Sequence, residues 1–209
     1  MRPPHAHRLA ATLLALPLAV ALSGCGAHPP SAAPPPHLPA TTAAPTASAP
    51  EATPAPMPAS PPVHVTIPAA GVDTGPLLKL GLNADGTIEV PSVAQADRIG
   101  WYGNGVTPGE TGPAVLVGHY DTVNGPAVMR NVARIKPGAR VDVTREDGTH
   151  AVFTVTALEQ VDKHAFPTRK VYGSTGTPQL RLITCGGAIT AGHRPDNIII
   201  YATLTNPAH

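Results

Sequence analysis

From about residue 63 onward, apolar and polar positions alternate in short runs. Residues 63–67, 87–90, 114–117, 140–145, 151–157, 179–184 and 197–204 are rich in β-branched and aliphatic side chains and are bounded by turn residues, the pattern of strands. In the run 140–145, Val141, Val143 and Arg145 fall on one face, with Asp142 and Thr144 on the other. Asp85-Gly86, Pro137-Gly138 and Asp147-Gly148 lie between runs, where tight turns are needed. Only residues 128–135 read as a helical turn. So many short strands within one domain length predict an all-β fold, either a closed β-barrel or a sandwich.

Before residue 63 the pattern is different. Arg2 and Arg8 precede an apolar run from Leu9 to Leu22, broken only by Thr12 and Pro17, with no acidic residue nearby. The run is too short to span a bilayer, which takes about 20 apolar residues. A basic start, a short apolar stretch and small residues after it are those of a secretory signal peptide. The run ends in Leu22-Ser23-Gly24-Cys25, which resembles the bacterial lipobox, whose cysteine becomes the lipid-modified N-terminus after cleavage. A thioether diacylglycerol and an amide-linked acyl group on Cys25 would together meet the requirement for stable anchoring. A plain secretory signal and an uncleaved anchor are the competing readings. From 26 to 62, thirteen of thirty-seven residues are proline and eighteen of the rest are Ala, Ser or Thr. Such a segment is a disordered, semi-rigid linker of polyproline II type. The organisation expected is a signal peptide over 1–25, a linker over 26–62 and a folded domain over 63–209.

Composition narrows the choice of function. A formal net charge of +1 with 13% charged residues gives no basic footprint for nucleic acid. Aromatics are only 3% of the chain, so the core must be built from Val, Ile, Leu and Ala. The acidic residues form no calcium-ligand pattern, and no metal or cofactor is expected. Cys25 and Cys185 are the only cysteines. A disulfide between them is the default in an exported chain, but a lipid on Cys25 would leave Cys185 as a free thiol.

Two strand ends carry candidate chemistry. Ala114-Val115-Leu116-Val117 delivers Gly118-His119-Tyr120-Asp121, and Leu180-Arg181-Leu182-Ile183-Thr184 delivers Cys185-Gly186-Gly187. Alternation puts Cys185 on the face of Ile183 and Arg181, and the two glycines would leave room for a substrate backbone near the sulfur. A thiolate that attacks a carbonyl, with an imidazolium to protonate the leaving amine, is an acyl-transfer pair. By themselves these features also fit an inert core cysteine and a structural histidine, and His64, His150, His164 and His193 compete for the partner role.

Gly118-His119-Tyr120-Asp121-Thr122, Leu182-Ile183-Thr184-Cys185-Gly186-Gly187 and Asp196-Asn197-Ile198-Ile199-Ile200-Tyr201-Ala202 resemble the motifs of sortases, most closely the actinobacterial class F or class E/F group. Ile67-Pro68, Gly100-Trp101-Tyr102, Gly125-Pro126-Ala127, Phe166-Pro167-Thr168 and Val171-Tyr172-Gly173 extend the resemblance from about Val63 to Leu204. It implies an eight-stranded sortase barrel and a transpeptidase (hydrolase when water is the acceptor). Such an enzyme cleaves an LPXTG-like sorting signal through a threonyl thioester and passes the acyl group to an amine such as a peptidoglycan precursor. The resemblance makes Cys185 the nucleophile and His119 the acid and base.

The family's third residue is an arginine at the start of the last strand. Arg194 is its match here, although Pro195-Asp196 intervenes before that strand. Arg181 is the weaker match, four residues and roughly 13 Å from Cys185 at strand rise. Thr184 is expected in the substrate-facing floor or oxyanion region. Asp121 is expected to orient the histidine loop or to cap a turn. The resulting picture is an enzyme on the extracytoplasmic face of the membrane, lipid-anchored at Cys25, with sorting-signal proteins as partners. The alternative is a cell-envelope binding lipoprotein that keeps the barrel without the chemistry.

Overall fold

The computed structural model describes residues 54–190 and 192–205. The signal peptide, Cys25 and most of the Pro-rich linker lie outside the described residues. Eleven strands are present among the described residues: β1 (Pro62–Ile67), β2 (Val72–Thr74), β3 (Leu78–Leu80), β4 (Ile99–Tyr102), β5 (Gly112–Gly118), β6 (Asp121–Thr122), β7 (Gly125–Pro126), β8 (Arg140–Arg145), β9 (His150–Asp162), β10 (Pro178–Gly186) and β11 (Asp196–Thr205). Nine form one sheet in the order β2-β1-β8-β9-β11-β10-β5-β4-β3, while β6 and β7 pair separately. The sheet curls into a half-barrel. The all-β class read from the sequence is therefore observed, with nine strands in the main sheet.

The centre of the sheet is buried on both faces. On β5, β10 and β11, Leu116, Leu182 and Ile200 lie side by side and point into the main core with Met129, Phe153 and Ile135. On the opposite face Val117, Ile183, Ile199 and Tyr201 form a second cluster. It is covered by Leu80 and by Val171 of the short helix α1 (Thr168–Tyr172). Double burial explains why these strands read as continuous apolar runs, whereas β8 alternates. A bulge at Tyr201–Ala202 lets the thirteen-residue β9 stay paired while it bends.

Most expected runs are strands, and several are longer than their apolar cores, because ladder bonds continue past the buried positions. Residues 87–90 differ. They form one arm of a small hairpin with a single bridge, Leu82 to Ile88. Within 128–135, Met129, Val132 and Ile135 are buried around a single 3-10 turn, Val132–Arg134. The three- and four-residue strands β2, β3 and β4 and the helix α1 are too short to carry a period of their own.

Part of the Pro-rich segment joins the fold. Met57 N–H donates to Gly109 O at 2.8 Å, Ser60 N–H to Thr107 Oγ1 at 3.0 Å, and Glu146 N–H to Pro61 O at 2.8 Å. Arg145, 1% exposed, donates through Nη2 to Pro58 O and through Nη1 to Thr149 Oγ1. Proline lacks an N–H but keeps its carbonyl, so a Pro-rich strand can still be fastened by donors from the domain.

Leu116 is fully buried between both neighbouring strands, so Leu116→Ala is expected to lower stability by about 2–5 kcal/mol in equilibrium urea unfolding. Val123, 94% exposed, is the control, and Val123→Ala should change it by no more than about 0.5 kcal/mol.

Candidate active site

β5 and β10 run parallel, with pairs from Gly112–Pro178 to Val117–Ile183. Parallel strands bring their C-terminal ends to the same edge of the sheet. His119 and Cys185 each lie two residues beyond the last pair, and so share the face of Val117 and Ile183. Gly118 makes the exit possible: a Cβ there would sit 3.0 Å from Met129 Cγ and Val128 Cγ1. Backbone bonds then hold the turn, with Met129 N–H donating to His119 O at 2.9 Å and Ala127 N–H to Tyr120 O at 3.0 Å.

Both residues open onto one cavity of about 730 Å³. Its walls include Ile88, Val90, Tyr102, Phe166 and Tyr172, and its lining also includes Lys163, Thr184 and Asn197. Val90 is 56% exposed and Tyr172 39%, so part of this apolar surface faces solvent and would be covered by a ligand. Thr184 is buried, and its Oγ1 has no hydrogen-bond partner among the described residues.

His119 Nε2 lies 2.6 Å from Pro91 O. A carbonyl only accepts, so Nε2 carries a hydrogen and Nδ1 remains for proton exchange. Among the described residues no hydrogen bond joins His119 to Cys185. The two are brought to one cavity wall without being locked together.

Arg194 and Asp121 form a two-toothed pair. Arg194 Nε is 2.9 Å from Asp121 Oδ1, and Nη2 is 2.7 Å from Oδ2. Nη1 donates to Gly187 O, and the guanidinium lies 4.5 Å from the Tyr120 ring centre. The hydrogen bonds from Arg194 hold the Asp121 carboxyl below its ordinary value, with a further contribution from charge on His119. Asp121 in turn raises Arg194, helped by Tyr120 and by charge on Cys185. Arg194 thus stands within electrostatic reach of the sulfur, with three of its five N–H donors engaged by Asp121 and Gly187. Asp121 ties the histidine loop to the β10–β11 loop.

Two further expectations resolve differently. A Cβ on Gly186 would meet Ile198 Cγ1 at 2.7 Å, and Gly187 has φ +80° with Asp196 against it. Packing and turn geometry therefore explain these glycines, rather than room for a substrate. Arg181 is buried with its guanidinium 4.8 Å from the Tyr201 ring centre and bonded to Gln179 Oε1 and Leu180 O. It does not line the cavity.

Lys163 is the residue that sequence reading missed. Its Nζ lies 3.8 Å from Cys185 Sγ and donates to Arg194 O at 2.7 Å. No motif surrounds it. It follows Asp162, the last residue of β9, and only the pairing of β9 with β11 brings it to the site.

The family model described as a sortase domain matches residues 65–205. Among solved structures the chain is similar to sortase A from Corynebacterium diphtheriae (TM-score 0.54, 19% identity, covering 71% of this chain and 63% of that one). It is also similar to sortase C1 of Streptococcus agalactiae (TM-score 0.54, 17% identity, 72% of each chain). A third is the Clostridium perfringens sortase D5 transpeptidase (TM-score 0.51, 18% identity, covering 70% and 79%). The chain thus spans less than two thirds of the first of these. At such identities the structural likeness speaks to the fold. No curated protein matches the chain.

The lowered Asp121 value has a definite sign. Its stabilisation is complete above the ordinary Asp range, near pH 3.9, and is lost as pH falls through the lower folded value. Asp121→Asn is expected to melt below wild type at neutral pH, with the gap closing under strong acid. A melting series against pH checks this, and high salt should narrow the gap because the pair is partly exposed.

Proposed function

The chain belongs to the sortase family, and from that premise we propose that it is a cysteine transpeptidase acting on an LPXTG-like sorting signal. The observation that supports this is the emergence of His119 and Cys185 at the shared end of the parallel pair β5 and β10, on the wall of one cavity. Partly exposed apolar walls suit an extended peptide with an apolar residue.

In the proposed reaction the Cys185 thiolate attacks the carbonyl carbon of the Thr-Gly bond. A C–S bond forms and the carbonyl π electrons move onto oxygen. Collapse of that tetrahedral species breaks the C–N bond, and the departing amine takes a proton from His119. The threonyl thioester is then attacked by an amine whose proton passes to His119. The new amide leaves and the thiolate returns. Water in place of the amine gives hydrolysis. Nucleophile, acid and base are all side chains, so the scheme needs no cofactor. The Nε2–H bond to Pro91 holds the imidazole in one orientation through both half-reactions.

Within the family we place the chain nearest the actinobacterial class F group, on the motifs around His119, Cys185 and Asn197. We also propose export and lipid anchoring at Cys25, which would set the domain at the extracytoplasmic face, within reach of peptidoglycan precursors. The rival reading is a binding protein that retains the fold without chemistry, and it draws on the engagement of Arg194 by Asp121.

The full chain incubated with an LPXTG-type peptide is expected to form a thioester adduct, visible by mass spectrometry. Product should appear faster with an added amine. Cys185→Ala should abolish both, and His119→Ala should slow turnover by about 10²–10⁴-fold. Absence of any adduct on the wild-type chain would favour the binding protein. For the anchor, the membrane-fraction protein is expected to begin at a diacylglycerol-modified Cys25. An unmodified N-terminus well beyond it would exclude the lipoprotein.

A further inference from the structure

Resting on that reading, we infer that Lys163 supplies positive charge at the Cys185 sulfur during acyl transfer, in addition to Arg194. The two cations near the site are held differently. Arg194 is forked onto a carboxylate: Nε and Nη2 bond Asp121, and Nη1 bonds Gly187 O. These bonds fix the guanidinium in place and leave one N–H on each of Nη1 and Nη2 unassigned.

Lys163 has no such commitment. None of the ion pairs among the described residues includes it. Its position is nonetheless well defined. The Lys163 N–H donates to Pro195 O at 3.1 Å, and Nζ donates to Arg194 O at 2.7 Å, so consecutive carbonyls of one loop hold the residue at both ends. From there Nζ points a second donor at Cys185 Sγ, 3.8 Å away. An ammonium has three donors, and Lys163 lines the cavity, so the third is available to an oxygen of a bound substrate.

The thiolate is the nucleophilic form of cysteine, and a neighbouring lysine favours it. When the carbonyl is attacked, the negative charge moves from sulfur to oxygen, and a cation beside both atoms stabilises the developing oxyanion. Lys163 keeps its proton throughout; the proton that reaches the leaving amine comes from His119. Arg194 also acts through its backbone and its ion pair. Its carbonyl orients the Lys163 ammonium, and its guanidinium anchors the histidine loop.

The test uses the full chain as wild type, Lys163→Met and Lys163→Arg. Reaction with iodoacetamide at pH 7 is followed by mass spectrometry on the peptide carrying Cys185, which excludes Cys25 from the signal. Lys163→Met removes the exposed ammonium beside the sulfur and is expected to slow alkylation by about threefold or more. Lys163→Arg should restore most of the rate. Thioester formation with an LPXTG-type peptide should fall at least as far in Lys163→Met. Raising salt should slow wild-type alkylation toward the Lys163→Met rate, which gives a readout independent of any variant's folding. Alkylation at the wild-type rate in Lys163→Met would overturn the inference. Alkylation needs no peptide, so a chain whose thiol depends on Lys163 but never forms a thioester overturns the transpeptidase reading and leaves the charge assignment standing.

Discussion

The site depends on the parallel register of β5 and β10. Six consecutive pairs, ending at Val117–Ile183, fix how far each strand runs before it leaves the sheet. A shift by one residue would turn either His119 or Cys185 to the opposite face. An antiparallel pairing would put them at opposite ends. Parallel neighbours need a long crossover, and here it contains β6 to β9 and α1; its stretch from Lys163 to Tyr172 supplies one wall of the cavity, and the hairpin before β5 supplies another. The burial of both faces at the centre of the sheet keeps this register: Leu116 and Leu182 in one cluster and Val117 and Ile183 in the other cannot exchange places.

Charge at the site is divided between two loops. The Arg194–Asp121 fork joins the turn after β5 to the turn before β11, and so controls the distance between the histidine and cysteine segments. Arg194 also lies within electrostatic reach of the sulfur. Lys163 reaches the same place from β9, the strand on the far side of β11. A carbonyl of the arginine's own residue orients it, so the two cations are mechanically linked.

The cavity shows the same economy. The hairpin with Ile88 and Val90 forms a wall, and Pro91, directly after it, provides the carbonyl that holds His119. A peptide pressing on that wall therefore touches the segment that sets the histidine's orientation. Phe166 and Tyr172, stacked at 5.7 Å, form another part of the lining beyond the turn that starts at Lys163.

Much of this was legible in the chain. The apolar runs around Leu116, Leu182 and Ile200 predicted strands because double burial demands uninterrupted apolar side chains. The placement of His119 and Cys185 after two of those runs marked them as candidates. The short strands β2 to β4 and helix α1 were not legible, since three to five residues carry no period. The fastening of Pro58 and Pro61 to the domain was hidden because it uses proline carbonyls, which composition does not register. Residue pattern alone thus determined the strand-rich class, the core faces and the two candidate side chains at strand ends, all of which follow from local alternation and burial. Pairing between segments far apart in sequence decided the rest: which ends of the strands meet, that Asp121 engages Arg194, and that a lysine with no motif around it stands beside the sulfur.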